Sequence, residues 1–137
     1  MGEVFRSCSV QQTEAYGHAL AKKLRSGSVV ALFGGMGMGK TALVRGLANG
    51  LGLNAEVSSP TFALVHDYGG NPPLVHFDMY RVSGWDDLYS TGFFDYLDAG
   101  AILVVEWSEN IVSALPDDTI RITIRAEDEN VRIIEIE

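Results

Sequence analysis

Residues 34 to 41 read "GGMGMGKT", directly after the apolar run "VVALF" (29–33). No other stretch limits the fold so tightly. A continuous apolar run of this length reads as a strand covered on both faces. Four glycines then remove Cβ atoms and admit positive φ, so backbone N–H groups can curl around an anion. Thr41 to Leu51 resumes helical spacing through Leu43, Val44, Leu47, Ala48 and Leu51, and Gly52 stops it. Strand, glycine loop and helix make one half of a βαβ unit. The helix adds unpaired N–H groups and a partial positive charge at its start. Gly34, Gly39, Lys40 and Thr41 fit the phosphate-loop pattern, with Lys40 for β/γ-phosphates and the Thr41 hydroxyl for Mg²⁺. Lys40 is one of Lys22, Lys23 and Lys40, the chain's whole lysine complement.

The rest of the chain predicts an α/β fold. Its sheet is mixed, with a parallel core and antiparallel hairpins, and is flanked by helices. Residues 3–8 form a first strand. Ser9 and Gln12 make a capping box for a helix over 11–25, ended near Gly27. "FALVHDY" and "LVHFDMY" flank Gly-Gly-Asn-Pro-Pro and predict a hairpin. In its second arm Val75, Phe77 and Met79 share one face, and His76, Asp78 and Tyr80 the other. Residues 83–98 have helical spacing, capped by Ser83 with Asp86 and broken at Gly92. "AILVV" (101–105) is a second buried-strand run that ends on Glu106. "TIRITIR" and "NVRIIEIE" predict a terminal hairpin through the turn at Glu127–Asn130. The 137 residues suit one domain, 1–137.

Composition narrows the function. A net charge of −8 repels phosphate backbones, so a nucleic-acid partner would have to be reached through a local patch or through another protein. Cys8 stands alone, which excludes an internal disulfide, and it reads as a buried thiol. The start lacks a basic stretch before an apolar core, Arg6 spoils a myristoylation signal, and no run approaches membrane-spanning length. The expectation is a cytoplasmic protein without a membrane partner. The three histidines and one cysteine lack metal-ligand spacing, which argues against structural zinc.

In open α/β sheets the site gathers at the carboxyl ends of the parallel strands. Glu106 is placed there to hold Mg²⁺, directly or through water; the alternative is an ordinary solvent-facing carboxylate. Asp78 is placed to orient a water or the metal shell, or else to pair with Arg81. Thr61, after Ser59-Pro60, is either a switch threonine sensing the γ-phosphate or a plain loop residue. His76 reads as a packed or hydrogen-bonded sheet residue, and Trp85, Phe93, Phe94 and Trp107 as core or covering aromatics.

Four blocks, "GGMGMGKT", "SSPTFALVHDY", "HFDMYR" and "VEWSE", in this order and at these separations, resemble the TsaE (YjeE) family. The likeness runs from about Ser9 to Pro116 and touches the tail weakly. The resemblance implies an ATPase needed to make threonylcarbamoyladenosine beside the anticodon of tRNAs that read A-starting codons. It implies ATP with Mg²⁺ and two partners, TsaB and TsaD. TsaD transfers the threonylcarbamoyl group, and ATP hydrolysis resets that complex. Carried over, Met36, Gly37, Met38, Gly39, Lys40 and Thr41 hold the phosphates, and Thr41 and Glu106 the metal. Lys40, Asp78 and Glu106 are then the catalytic set. Asp78 and Trp107 fall in blocks needed for activity, and Thr61 matches a switch-like threonine. Gly35, Met38, Ala63 and Ser108 depart from residues common in the family; none of these departures removes a proposed ligand, and the bulk of Met38 falls inside the phosphate loop.

A small-molecule kinase is the main alternative, but it needs an acceptor pocket and usually an arginine-rich lid, and the seven arginines do not cluster. A GTPase is third: "DYGG" (67–70) matches D-x-x-G but falls in the hairpin turn, and no N-K-x-D guanine-reading motif exists. Adenine is therefore the expected base. A nucleotide-gated binding module that hardly hydrolyses ATP is the non-enzyme reading.

Overall fold

A computed structural model describes residues 2–34, 39–53 and 65–137. Met36, Gly37, Met38 and Thr61, among the residues expected at the site, lie outside the described residues. So does the start of the first hairpin run, Phe62 to Leu64.

The described residues form one seven-stranded sheet in the order β1-β7-β6-β2-β5-β4-β3. The strands are β1 (Glu3–Ser7), β2 (Val29–Phe33), β3 (Val65–Gly70), β4 (Pro73–Asp78), β5 (Ile102–Glu106), β6 (Ile120–Ala126) and β7 (Arg132–Ile136). β4, β5, β2 and β6 run parallel. Antiparallel strands flank them, β3 beyond β4 on one side, β7 and then β1 beyond β6 on the other. The predicted parallel core with antiparallel hairpins is thus observed. β2 and β5, the two continuous apolar runs, lie side by side at its centre. The chain leaving β2 goes out to the β4–β3 side, whereas the chain leaving β5 crosses to β6. The carboxyl ends of β2 and β5 therefore diverge into a crevice, where this architecture binds ligands.

Helices cover both faces. On one face α1 (Val10–Ala21) and α2 (Lys40–Gly50) bury Leu20, Leu43, Val44 and Leu47 against Val30, Leu32, Leu74 and Ile102. On the other, α3 (Trp85–Ser90) and α4 (Phe93–Asp98) bury Leu88 and Phe93 against Val75, Phe77 and Val105. Each large apolar side chain buried this way contributes roughly 1.5–3 kcal/mol. α1 and α2 touch backbone to backbone. A Cβ at Gly46 would meet the carbonyl oxygen of Glu14, and one at Gly17 the carbonyl oxygen of Leu43.

Several local expectations change. α1 starts as predicted, with Gln12 N–H donating to Ser9 Oγ at 3.1 Å and Cys8 N–H to Gln12 Oε1 at 2.7 Å. It ends at Ala21, four residues before the spacing does, because the chain must turn towards β2; Gly27, at φ +86°, lies beyond it and donates its N–H to the Gly100 carbonyl. Cys8 is exposed rather than buried, since it falls in the connection after β1, where the alternation of the strand no longer applies. Ser83 pairs with Asp87, not Asp86. Both its N–H and its hydroxyl donate to Asp87 Oδ2, and Gly84 occupies the position just before the helix. These bonds hold the Asp87 carboxyl below its usual range. β3 and β4 reach further into the turn than predicted, to Gly70 and from Pro73; a register shift between Asp67 and Gly70 accommodates the extra length. Gly92, at φ +82°, separates α3 from α4 as expected. Trp85 is exposed, whereas Phe93 is core. Among the described residues no helix is long and apolar enough to cross a membrane.

Candidate functional site

α2 begins where β2 and the glycine loop deliver it. Gly39 precedes it at φ +95°, a left-handed conformation that only glycine adopts without strain. Its first turn carries no acidic side chain to neutralise the N–H groups there. Lys40, its first residue, turns inward and is 6 % exposed. Its Nζ donates to the Gly34 carbonyl at 2.9 Å, lies 3.8 Å from Glu106 Oε1 and stands 5.0 Å above the Trp107 ring. Thr41 follows, half-buried in the same turn.

Glu106 closes β5. Its two strand neighbours differ: β2 pairs along Val29 to Ala31, and β4 pairs through to Asp78, whose Cα partner is Glu106. Glu106 is 5 % exposed, so the solvent-facing alternative does not hold. Oε2 accepts from His76 Nε2 at 2.6 Å, and Oε1 faces Lys40. His76 itself is fully buried, as expected of a hydrogen-bonded sheet residue, and its Nδ1 lies 3.1 Å from the Tyr68 hydroxyl. Tyr68 in turn contacts His66 Nδ1 at 3.3 Å. A line of polar groups therefore runs from the edge strand β3 to the head of α2. A carboxylate only accepts, so His76 Nε2 donates; in the tautomer that donates from Nε2 alone, Nδ1 accepts from Tyr68.

Asp78 is half-buried at the end of β4, and its Oδ1 accepts from the Tyr80 N–H at 2.9 Å. Among the described ion pairs none joins it to Arg81. The ends of β4 and β5 are tied together by a Met79 N–H bond to the Glu106 carbonyl at 3.0 Å and by Asn110 Nδ2 to the Met79 carbonyl at 2.7 Å.

Trp107 follows Glu106 with φ +59°, ψ +41°. A bulky residue in this region is strained by about 1–2 kcal/mol. The conformation turns the chain out of β5 and places the indole between Tyr80, 4.9 Å between ring centroids, and Lys40. Ser108 is fully buried, its hydroxyl donating to the Val105 carbonyl at 2.9 Å, and so helps fix the turn.

Of the residues singled out from sequence, Lys40, Glu106 and Trp107 meet within a few ångströms. Gly39 and Thr41 stand beside them at the helix start, and Asp78 is directly across from Glu106. Arg45 is held by Glu14 at 2.6 Å on the flank of α2. Sequence reasoning read His76 as a packed or hydrogen-bonded sheet residue without naming Glu106 as its partner, and passed over Tyr68. The available signal was that His76 lies two residues before Asp78 on the same strand face, so whatever meets one carboxylate end is within reach of the other. The arrangement offers a buried cation and a buried acceptor-only carboxylate on either side of the crevice, beside a helix N-terminus. That is a set of groups suited to a polyanion accompanied by a hard cation.

The chain was compared with known proteins. Residues 7–134 match the family model described as "Threonylcarbamoyl adenosine biosynthesis protein TsaE". The tRNA threonylcarbamoyladenosine biosynthesis protein TsaE of Treponema pallidum is 40% identical over 119 residues, 87% of this chain and 88% of that protein. Its namesake from Streptomyces coelicolor is 46% identical over 111 residues, 79% and 75% of the two chains. That from Bacillus subtilis is 33% identical over 131 residues, 95% and 82%. The crystal structure of Bacillus subtilis YdiB superposes with a TM-score of 0.82 at 28% identity, covering 99% of this chain and 84% of the other. The sheet order, the site at its carboxyl crevice and these likenesses agree, and the chain belongs to the TsaE family of threonylcarbamoyl adenosine biosynthesis proteins.

Proposed function

We propose that the chain is a Mg²⁺-dependent ATPase of threonylcarbamoyladenosine formation on tRNA, slow alone and acting with TsaB and TsaD homologues. The observation that carries this reading is the pairing of Lys40 with Glu106 across the crevice, 3.8 Å apart, at the head of α2. Lys40 is held there by the Gly34 carbonyl and by Glu106. With ATP bound, Lys40 would leave the Gly34 carbonyl and Glu106 and place its ammonium charge on the phosphate oxygens. The N–H groups of the first turn of α2 bind the same phosphates.

The donors suit Mg²⁺. Thr41 supplies a hydroxyl and Glu106 a carboxylate, both hard oxygens, and the Glu106 oxygen facing Lys40 is relieved of that cation once Lys40 turns to phosphate. Mg²⁺, when bound, neutralises charge on the phosphate oxygens. Asp78 orients the attacking water or the outer metal shell. Trp107 limits where Lys40 rests.

Loop-bound nucleotides hydrolyse slowly until a further group, often an arginine, stabilises the transferring phosphoryl. Arg45 is engaged with Glu14, and no arginine carries a motif that marks it for this role, so we assign the activating group to a partner. The net charge of −8 leaves tRNA to the rest of the complex.

The test is phosphate release from ATP by the chain alone and with TsaB, TsaD and tRNA. Slow release that rises with the partners is expected. Rates unaffected by partners, with phosphate passed to a metabolite, would make the chain a small-molecule kinase.

A further inference from the structure

The polar line behind Glu106 has no part in the proposed reaction as stated, yet it is built at some cost. His76 is fully buried and Glu106 nearly so, on a face whose other strand residues include Leu74, Ile102 and Val104. An apolar pair of similar volume in such a place is often as stable or more so. A histidine and a glutamate here thus do something packing alone does not require.

The geometry shows what. β4 and β5 are parallel with His76 opposite Val104 and Asp78 opposite Glu106. The imidazole lies two residues behind the carboxylate on the same face, and Glu106 reaches back to it. A carboxylate on a flexible stem can rotate both oxygens away from a ligand. Here Oε2 is fixed by His76 at 2.6 Å, which leaves Oε1 on the Lys40 side, 3.8 Å from Nζ. The ring cannot swivel freely either, because Tyr68 holds Nδ1 at 3.1 Å. We propose that His76 is a positioning residue that aims one oxygen of Glu106 into the phosphate crevice, and that Tyr68 on the edge strand keeps the His76 ring in register. This rests on the reading of Glu106 as a metal-holding carboxylate. Outer partners of this kind typically tune metal affinity by about 10–100-fold.

The readout is binding rather than turnover: the Kd of an N-methylanthraniloyl-labelled ATP with and without Mg²⁺, the ratio being the Mg²⁺ gain. Thermal melting of each variant reports folding. Glu106→Gln should remove most of the gain in the wild type. His76→Leu should reduce it by about 10-fold, and Tyr68→Phe by a few-fold in the same direction. His76→Gln, whose amide can still donate to Glu106, should restore part of it. In a Glu106→Gln background Tyr68→Phe should change nothing further, because both act through one carboxylate. A purely structural role would lower melting temperature without moving the ratio. If His76→Leu fails to fold, Tyr68→Phe carries the test, since it removes one hydroxyl from a half-buried side chain. Folded variants of His76 and Tyr68 with the full wild-type gain, beside a Glu106→Gln that loses it, overturn the positioning role alone. No Mg²⁺ gain in the wild type, or an undiminished one in Glu106→Gln, overturns the metal reading of Glu106 and the positioning role with it.

Discussion

The ends of β4 and β5 carry carboxylates that are Cα partners, Asp78 and Glu106, yet the two strand ends are built differently. At the end of β5 the carboxylate is buried and reaches away from its own backbone, to His76 and Lys40. At the end of β4 the shorter side chain folds onto its own turn and takes the Tyr80 N–H. Adjacent register fixes where a side chain starts. Its length and the next turn decide what it serves. Glu106 is committed to His76 and Lys40, and Asp78 to its own turn.

The sharpest break in that contrast is Lys40→Ala, which removes the cation facing β5. Turnover should fall by about three orders of magnitude or more, as for loss of a group that acts on the transferring phosphoryl. The chain should stay folded with a lower melting temperature, because Glu106 then keeps only His76. Wild-type phosphate release by this variant would refute the phosphate-loop assignment.

Next comes Glu106→Gln. The Mg²⁺ needed for half-maximal turnover should rise about 10-fold or more. Superimposable Mg²⁺ titrations for variant and wild type would exclude a metal role and make the two strand ends alike.

Asp78→Asn should act more gently. The amide retains an oxygen for the Tyr80 N–H, so the turn survives. A fall in kcat of about 10-fold with little change in Mg²⁺ demand is expected, the pattern of a group that matters mainly in the transition state. If its Mg²⁺ demand rises as far as that of Glu106→Gln, both ends share one metal and the contrast fails.

Trp107→Phe should have the smallest effect. A phenyl ring stacks on Tyr80 and Lys40 less well than indole, worth about 0.5–1 kcal/mol at a partly exposed site. Urea unfolding of the nucleotide-free chain would measure it. No change in midpoint would mean that the ring above Lys40 contributes nothing to the resting site.

Much of this was legible along the chain. "VVALF" and "AILVV" announced two buried strands, Gly92 divided its helices, and the alternation in "LVHFDMY" sorted Phe77 from His76. Glu106 stood out as an acid closing an apolar run. Periodicity, however, reports only local geometry. It cannot say that His76 meets Glu106, 30 residues away, because that depends on the register between parallel strands joined by a crossover. The close contact of Gly17 with α2 and of Gly46 with α1 is likewise invisible, since each glycine alone reads only as a poor helix former. The Ser83 pairing slipped by one residue because two aspartates offered equivalent spacing. Thr61 and Met36 to Met38 lie outside the described residues, so the switch and the loop interior stand as sequence expectations.

The strand order has a consequence for the order of synthesis. Of the described strands β1 is made first and β7 last, and β7 is the one neighbour of β1 among them. β2, which leads into the glycine-rich segment, pairs with β5 and β6. A nascent chain that has emerged as far as α2 therefore holds the whole "GGMGMGKT" segment but no sheet to anchor it. The crevice closes only when residues some seventy positions later slot in beside β2. Such non-local pairing is slow to form and gains little until it is nearly complete. A ribosome that stalls midway thus releases a fragment with the signature of a nucleotide site and no means to assemble one.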